Sequence, residues 1–150
     1  MKILGIIFLA LFVSTGCKSI SKDVRLVTGT NKETASILVY REKAFQAGAV
    51  SLYVGKDDKY FMELGNDEYG QVEIDAGKHL IQAKASGSPS SALQIELAKN
   101  QTVCLFSKPN PEMLGAMLIP LVANMVPTFV LEQVDCPSAE KLKGFMRVGL

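Results

Sequence analysis

Between residues 92 and 99 the chain reads Ala-Leu-Gln-Ile-Glu-Leu-Ala-Lys, with Leu93, Ile95 and Leu97 alternating against Gln94 and Glu96. A period of two is the mark of a β-strand with one buried and one wet face. The stretch QVEIDAG at 71–77 repeats the pattern, setting Val72 and Ile74 against Glu73 and Asp75 before Gly77 breaks the run. Shorter apolar and β-branched stretches fill much of the remainder: ASILVYR at 35–41, VSLYVG at 50–55, KDDKYFMEL at 56–64, KHLIQAKAS at 78–86, NQTVCLFSK at 100–108 and TFVLEQV at 128–134. Turn residues separate them. Gly55, Lys56, Asp57 and Asp58 are expected to form a hairpin turn, GNDEYG the next turn, GSPSS a loop, and Lys99 with Asn100 another turn.

Strands at this spacing predict a mainly β fold, an antiparallel β-sandwich of about seven strands. The first hundred residues contain no helical pattern of any length. Near the end, SAEKLKGFM is expected to form a short C-terminal helix, with Ser138 as its N-cap and Leu142 and Met146 on one face.

Two stretches break the strand pattern. At the N-terminus, Lys2 precedes ILGIIFLALFV and then STGC, the layout of a signal peptide over residues 1–16. At the other end, MLGAMLIPLVANMVPTFVL (113–131) carries no charged side chain over nineteen residues. As a helix this run would reach about 28 Å, enough to cross a hydrocarbon core. Pro120, Asn124 and Pro127 interrupt it, so it is better read in two parts: EMLGAMLIPLVANM as an apolar, partly helical excursion, and TFVLEQV as a returning strand. The excursion either covers the core or offers a surface to lipid or a partner, with Met113, Met117, Leu121 and Met125 as the candidate surface.

The residues after the signal segment, KSISKDVRLVTGTNKET, are polar and aperiodic, as expected of a tether. The expected organisation is a signal peptide at 1–16, a lipid-anchored tether at 17–34 and one domain at 35–150. The chain holds 16 basic and 15 acidic residues. No basic block stands out, so nucleic acid is not an expected partner.

Gly16-Cys17 resembles the lipobox of bacterial lipoproteins, in which the cysteine after the cleavage point carries the acyl chains. Ser14 stands where that pattern prefers an aliphatic residue. Ordinary signal-peptidase cleavage after Gly16 is the other reading. Cysteine parity favours lipid: of the three cysteines, acylation of Cys17 leaves Cys104 and Cys136 as an even pair. Those two are expected to form a disulfide in an oxidising compartment, the alternatives being free buried thiols or a metal pair. A disulfide would also exclude a single membrane crossing between them. Lys18 follows Cys17, and no Asp occupies the position that enterobacterial-type sorting reads for inner-membrane retention. The resemblance therefore implies an outer-membrane protein facing the periplasm, the inner membrane and cell surface being less favoured.

SILVYR, the strand ending in YVG, and VEIDAGKHLIQAKA with its G-K-H step together resemble a group of uncharacterised bacterial lipoproteins. Relatives in that group carry R-P after the first strand and P-P-G before a later one. This chain has Glu42 and Ala76 at the two prolines. The resemblance covers roughly residues 35–107 by strand spacing. It implies a small β-sandwich similar to transthyretin-like and PEGA-type modules, and no activity.

Chemistry is sparse in the residues themselves. His79 is the only histidine, which removes most Ser-His-Asp, Cys-His and multi-histidine metal sets, and it is expected to start a strand. The acid pairs Asp57–Asp58 and Asp67–Glu68 fall in predicted turns without a calcium-loop pattern. No phosphate-cradling glycine motif occurs. No catalytic residue, metal or cofactor is expected. The expected role is that of a non-enzymatic binding or scaffolding module for an envelope partner, the alternative being a carrier or sensor of an apolar ligand or lipid.

Overall fold

The computed structural model describes residues 33–149, except 46, 58, 117, 120, 122 and 123. The signal segment, Cys17 and nearly all of the expected tether lie outside the described residues. Thr34, expected to close the tether, opens the first strand.

Nine strands and two short helices are present among the described residues: β1 (Thr34–Arg41), β2 (Leu52–Lys56), β3 (Lys59–Leu64), β4 (Glu68–Asp75), β5 (Gly77–Lys84), β6 (Ser91–Leu97), β7 (Thr102–Pro109), α1 (Glu112–Ala116), β8 (Phe129–Val134), α2 (Ala139–Leu142) and β9 (Met146–Arg147). Five strands form one sheet in the order β8-β7-β1-β4-β9, and four form the other in the order β3-β2-β5-β6. The strand count corrects the expected seven. The expectation of purely antiparallel pairing also needs correcting, because β1 pairs with β7 and β4 with β9 in parallel. Parallel neighbours far apart in sequence leave no local hairpin signal, so periodicity could not register them.

The larger apolar cluster draws on both sheets. Ile37, Val39, Val72, Ile74, Val103, Leu105 and Phe129 come from the five-stranded sheet, and Leu52, Val54, Leu64, Ile81, Ile95 and Leu97 from the four-stranded one. A second cluster lies on β1 and β7, where Leu38, Tyr40 and Cys104 pack with Tyr69, Phe106, Val134, Leu142 and Phe145. The Tyr40 ring lies 5.2 Å from Phe106 and meets Phe145 edge-on at 5.9 Å. The segment after β8 thus covers part of the sheet. This explains why ILVY of β1 is apolar without alternation: both of its faces are covered.

A disulfide joins Cys104 to Cys136, their Cα atoms 5.1 Å apart. It pins the start of the C-terminal segment beside β7. Ser138 caps α2 as expected, its hydroxyl accepting from the Lys141 amide at 3.2 Å. Met146 does not share a helical face with Leu142. It lies in β9, exposed, its amide donating to Asp67 O at 2.8 Å, because the helix stops at Leu142 and the chain turns to reach the β4 edge.

Other expectations shift by small steps. Gly55 and Lys56 belong to β2 rather than to the turn, with Lys56 paired to Lys59 and a register shift between Val54 and Gly55. Asp57 takes the positive φ (52°) that closes the hairpin. Asp75, expected on a wet face, is only 8% exposed. The chain bends through Ala76 and Gly77, the latter at φ 128°, to leave one sheet for the other, and the His79 ring comes back onto the Asp75 carbonyl.

Candidate functional site

The connection from β7 to β8 has a closed neck and an open tip. At the neck, the Asn110 amide donates to Thr128 O at 2.9 Å, and the Thr128 amide donates to Ser88 Oγ at 3.0 Å. Asn110 is buried, and its side-chain oxygen accepts from the Glu112 amide at 3.1 Å, which starts α1 as a Ser or Asp cap would. Glu112 in the first turn suits the positive end of the helix.

Beyond the neck the apolar residues turn outward. Leu114, Leu118, Ile119, Leu121 and Met125 are all more than half exposed, Leu118 and Leu121 at 84% and 83%, while Ala116 is buried. Single exposed apolar residues are ordinary, but five within a dozen positions, with no charge among them, make a surface. Of the four residues expected there, Leu121 and Met125 are exposed, Met113 is half-buried and Met117 lies outside the described residues. Leu114, Leu118 and Ile119 were missed, although the lack of charge across the whole run was a signal for them. Among the described residues no helix is long and apolar enough to cross a membrane.

The neck is braced by Arg41, the last residue of β1 and 1% exposed. Its guanidinium donates to the carbonyls of Ala47 at 2.5 Å, Val50 at 2.6 Å and Leu64 at 3.1 Å, and lies over the ring of Phe129, the first residue of β8. Burial lowers its pKa from the ordinary value, opposed by the nearby Glu68 carboxylate. The loop that supplies two of these carbonyls carries Phe45, which is fully exposed. Phe45 and the tip therefore leave the body at the same end.

The remaining sequence candidates have structural neighbours. His79, the third residue of β5, is buried, with Nε2 2.7 Å from Asp75 O. Asp67 accepts from the Lys43 amide at 2.9 Å and Glu68 from the Gly65 amide at 2.6 Å, so both carboxylates hold turns. Asp57 is exposed in the β2–β3 turn, and Asp58 lies outside the described residues. Among the described residues no three His, Cys, Asp or Glu side chains gather as a metal would require. Comparison with known protein families and with curated proteins finds no match to this chain.

Proposed function

We propose that the chain is a lipoprotein of the bacterial cell envelope, related to the lipoproteins it resembles in sequence. Acyl chains on Cys17 anchor it to the outer membrane, and a β-sandwich body facing the periplasm acts as a non-enzymatic binding or scaffolding module. The observation that carries this reading is the aliphatic tip between β7 and β8, exposed on a neck pinned at Asn110, Thr128 and Ser88. A rigid body presenting an uncharged surface suits contact better than catalysis. The Cys104–Cys136 disulfide fits an oxidising compartment.

The same side chains support a second reading, a carrier or sensor of an apolar ligand, since Leu, Ile and Met offer hydrophobic contact without directional bonds. A photo-crosslinking residue at Leu121 in intact cells separates the two. One reproducible protein adduct at Leu121, missing from the same probe at Leu80, supports the scaffold; adducts with a small apolar molecule that stays with the body after its extraction from the membrane support the carrier. Identical products from both positions would remove the tip from either role. For the anchor, labelling with a fatty acid such as palmitate should be lost in Cys17→Ser, and persistence of the label would end that part of the reading.

A further inference from the structure

We propose that the exposed tip between β7 and β8 seats its aliphatic side chains at the headgroup–acyl boundary of a phospholipid bilayer, as a second membrane contact besides the N-terminus. This rests on the reading of the tip as the contact surface and names what it contacts.

The chemistry of the tip favours acyl chains over a protein. Binding between proteins concentrates in Trp, Tyr and Arg anchors with hydrogen-bonding rims. From Met113 to Thr128 there is no aromatic and no charged side chain, only Leu, Ile, Met, Val, Ala, Gly and Pro with Asn124 and Thr128. Hydrocarbon asks for nothing more directional than that. It does ask that backbone groups be satisfied internally. At the tip the amides of Met113, Leu114, Leu118 and Ile119 donate to the carbonyls of Asn110, Pro111, Gly115 and Ala116 at 2.9–3.3 Å. Phe45, exposed at the same end, adds an apolar side chain of the kind found with Leu on the membrane-facing side of interfacial segments.

The chain outside the described residues makes the contact reachable. Residues 1–32 join the body at the start of β1, where Thr34 O accepts from the Asn100 amide. Because β7 runs parallel to β1, the tip leaves from the opposite end of the sheet. The eight residues of β1 separate the two ends by about 26 Å. From Cys17 to Thr34 the chain can extend to about 55 Å at most, at ~3.3 Å per residue. An anchor at Cys17 therefore leaves length enough for the far end to turn onto the same bilayer.

The chain has no tryptophan, so each substitution creates a single reporter. Leu121→Trp at the tip and Leu80→Trp on β5, each in the full chain, are incorporated into phosphatidylethanolamine–phosphatidylglycerol vesicles with or without brominated acyl chains. The expected result is a blue-shifted Leu121→Trp emission quenched at least threefold more by bromine than Leu80→Trp, and loss of that difference when Leu118→Asp is added. Leu118 is exposed, so the added charge leaves the unfolding midpoint where it was. Equal quenching at the two positions, or none at the tip, overturns the proposal. A blue shift that grows with protein concentration but ignores bromine overturns it in favour of a second copy of the chain. If the cellular crosslink at Leu121 yields a protein while bromine fails to quench, the bilayer contact falls and the scaffold reading stands.

Discussion

The guanidinium of Arg41 lies 4.5 Å from the centre of the Phe129 ring, so the last residue of β1 is packed against the first residue of β8. A cation held this way in an apolar interior is solvated by three backbone carbonyls and one aromatic face instead of water. The arrangement ties the β1–β2 loop, the β3 end and the tip's returning strand to one side chain.

Replacing Arg41 by Met keeps much of the volume but strips donors from the carbonyls of Ala47, Val50 and Leu64. Ala47 O keeps the Val50 amide at 3.2 Å, but a buried acceptor left orphaned costs about 1–3 kcal/mol where water cannot reach it, so a loss of about 3 kcal/mol is expected. Arg41→Lys retains a charge but not the planar fork, and should lose about 2 kcal/mol. Urea midpoints with an unchanged slope check both, and a Lys variant as stable as the parent would contradict the fork argument.

The Cys104–Cys136 bridge closes a loop with a sequence separation of 32, which in the chain-entropy model stabilises the fold by roughly 3 to 4 kcal/mol. Cys104→Ala with Cys136→Ala should lower stability by about that amount. It should also speed proteolysis after Lys141 and Lys143 ahead of global unfolding, because the bridge is the covalent hold on the segment covering Tyr40 and Phe106. Equal cleavage in parent and variant would mean that packing alone keeps that segment down.

Two glycines should fail for different reasons. A Cβ at Gly77 meets open space, so Gly77→Ala is expected to lose about 1 to 3 kcal/mol through its positive φ alone. A Cβ at Gly55 would stand 2.5 Å from Lys59 O and 2.8 Å from a Tyr60 ring carbon. Gly55→Ala must therefore push the hairpin strands apart, costing about 1 to 3 kcal/mol and disturbing β2–β3 amide exchange. The amide-exchange pattern separates them: only Gly55→Ala should weaken protection in β3.

Lys141 Nζ lies 2.7 Å from Glu42 and 5.4 Å from the Tyr40 ring centre. The bond to Glu42 raises the Lys141 pKa above its ordinary 10.5. A group raised in the folded state adds stability that is fully present below its unfolded pKa and lost as pH rises through the folded value. The stability difference between the parent and Lys141→Gln should thus be constant up to about pH 9.5 and shrink above pH 10.5. A difference that persists at pH 12 would assign it to packing of the lysine stem.

Local patterns carried most of the strand assignments. Val72 and Ile74 in β4, and Ile95 and Leu97 in β6, are buried as their alternation requires, because a pleated strand sends neighbours to opposite faces. Ser138 was legible as a cap for a similarly local reason, since capping involves only the next three amides. β9 was not legible: two residues carry no period, and their pairing depends on Asp67 and Tyr69 being nearby. Nor was Arg41. A strand-end arginine reads as solvated, and only the folded loop brings three carbonyls to it.

For the tip, the absence of charge from 113 to 131 was a property of the sequence alone, as was the break at its prolines. Whether those side chains face inward or outward was decided by tertiary structure. The larger apolar cluster is built mainly of strand residues from both sheets, Phe129 among them beside Arg41, and the bond between Asn110 and Thr128 closes the neck of the excursion. A close-packed core admits no further volume without strain, and Leu114, Leu118, Ile119, Leu121 and Met125 stand outside it.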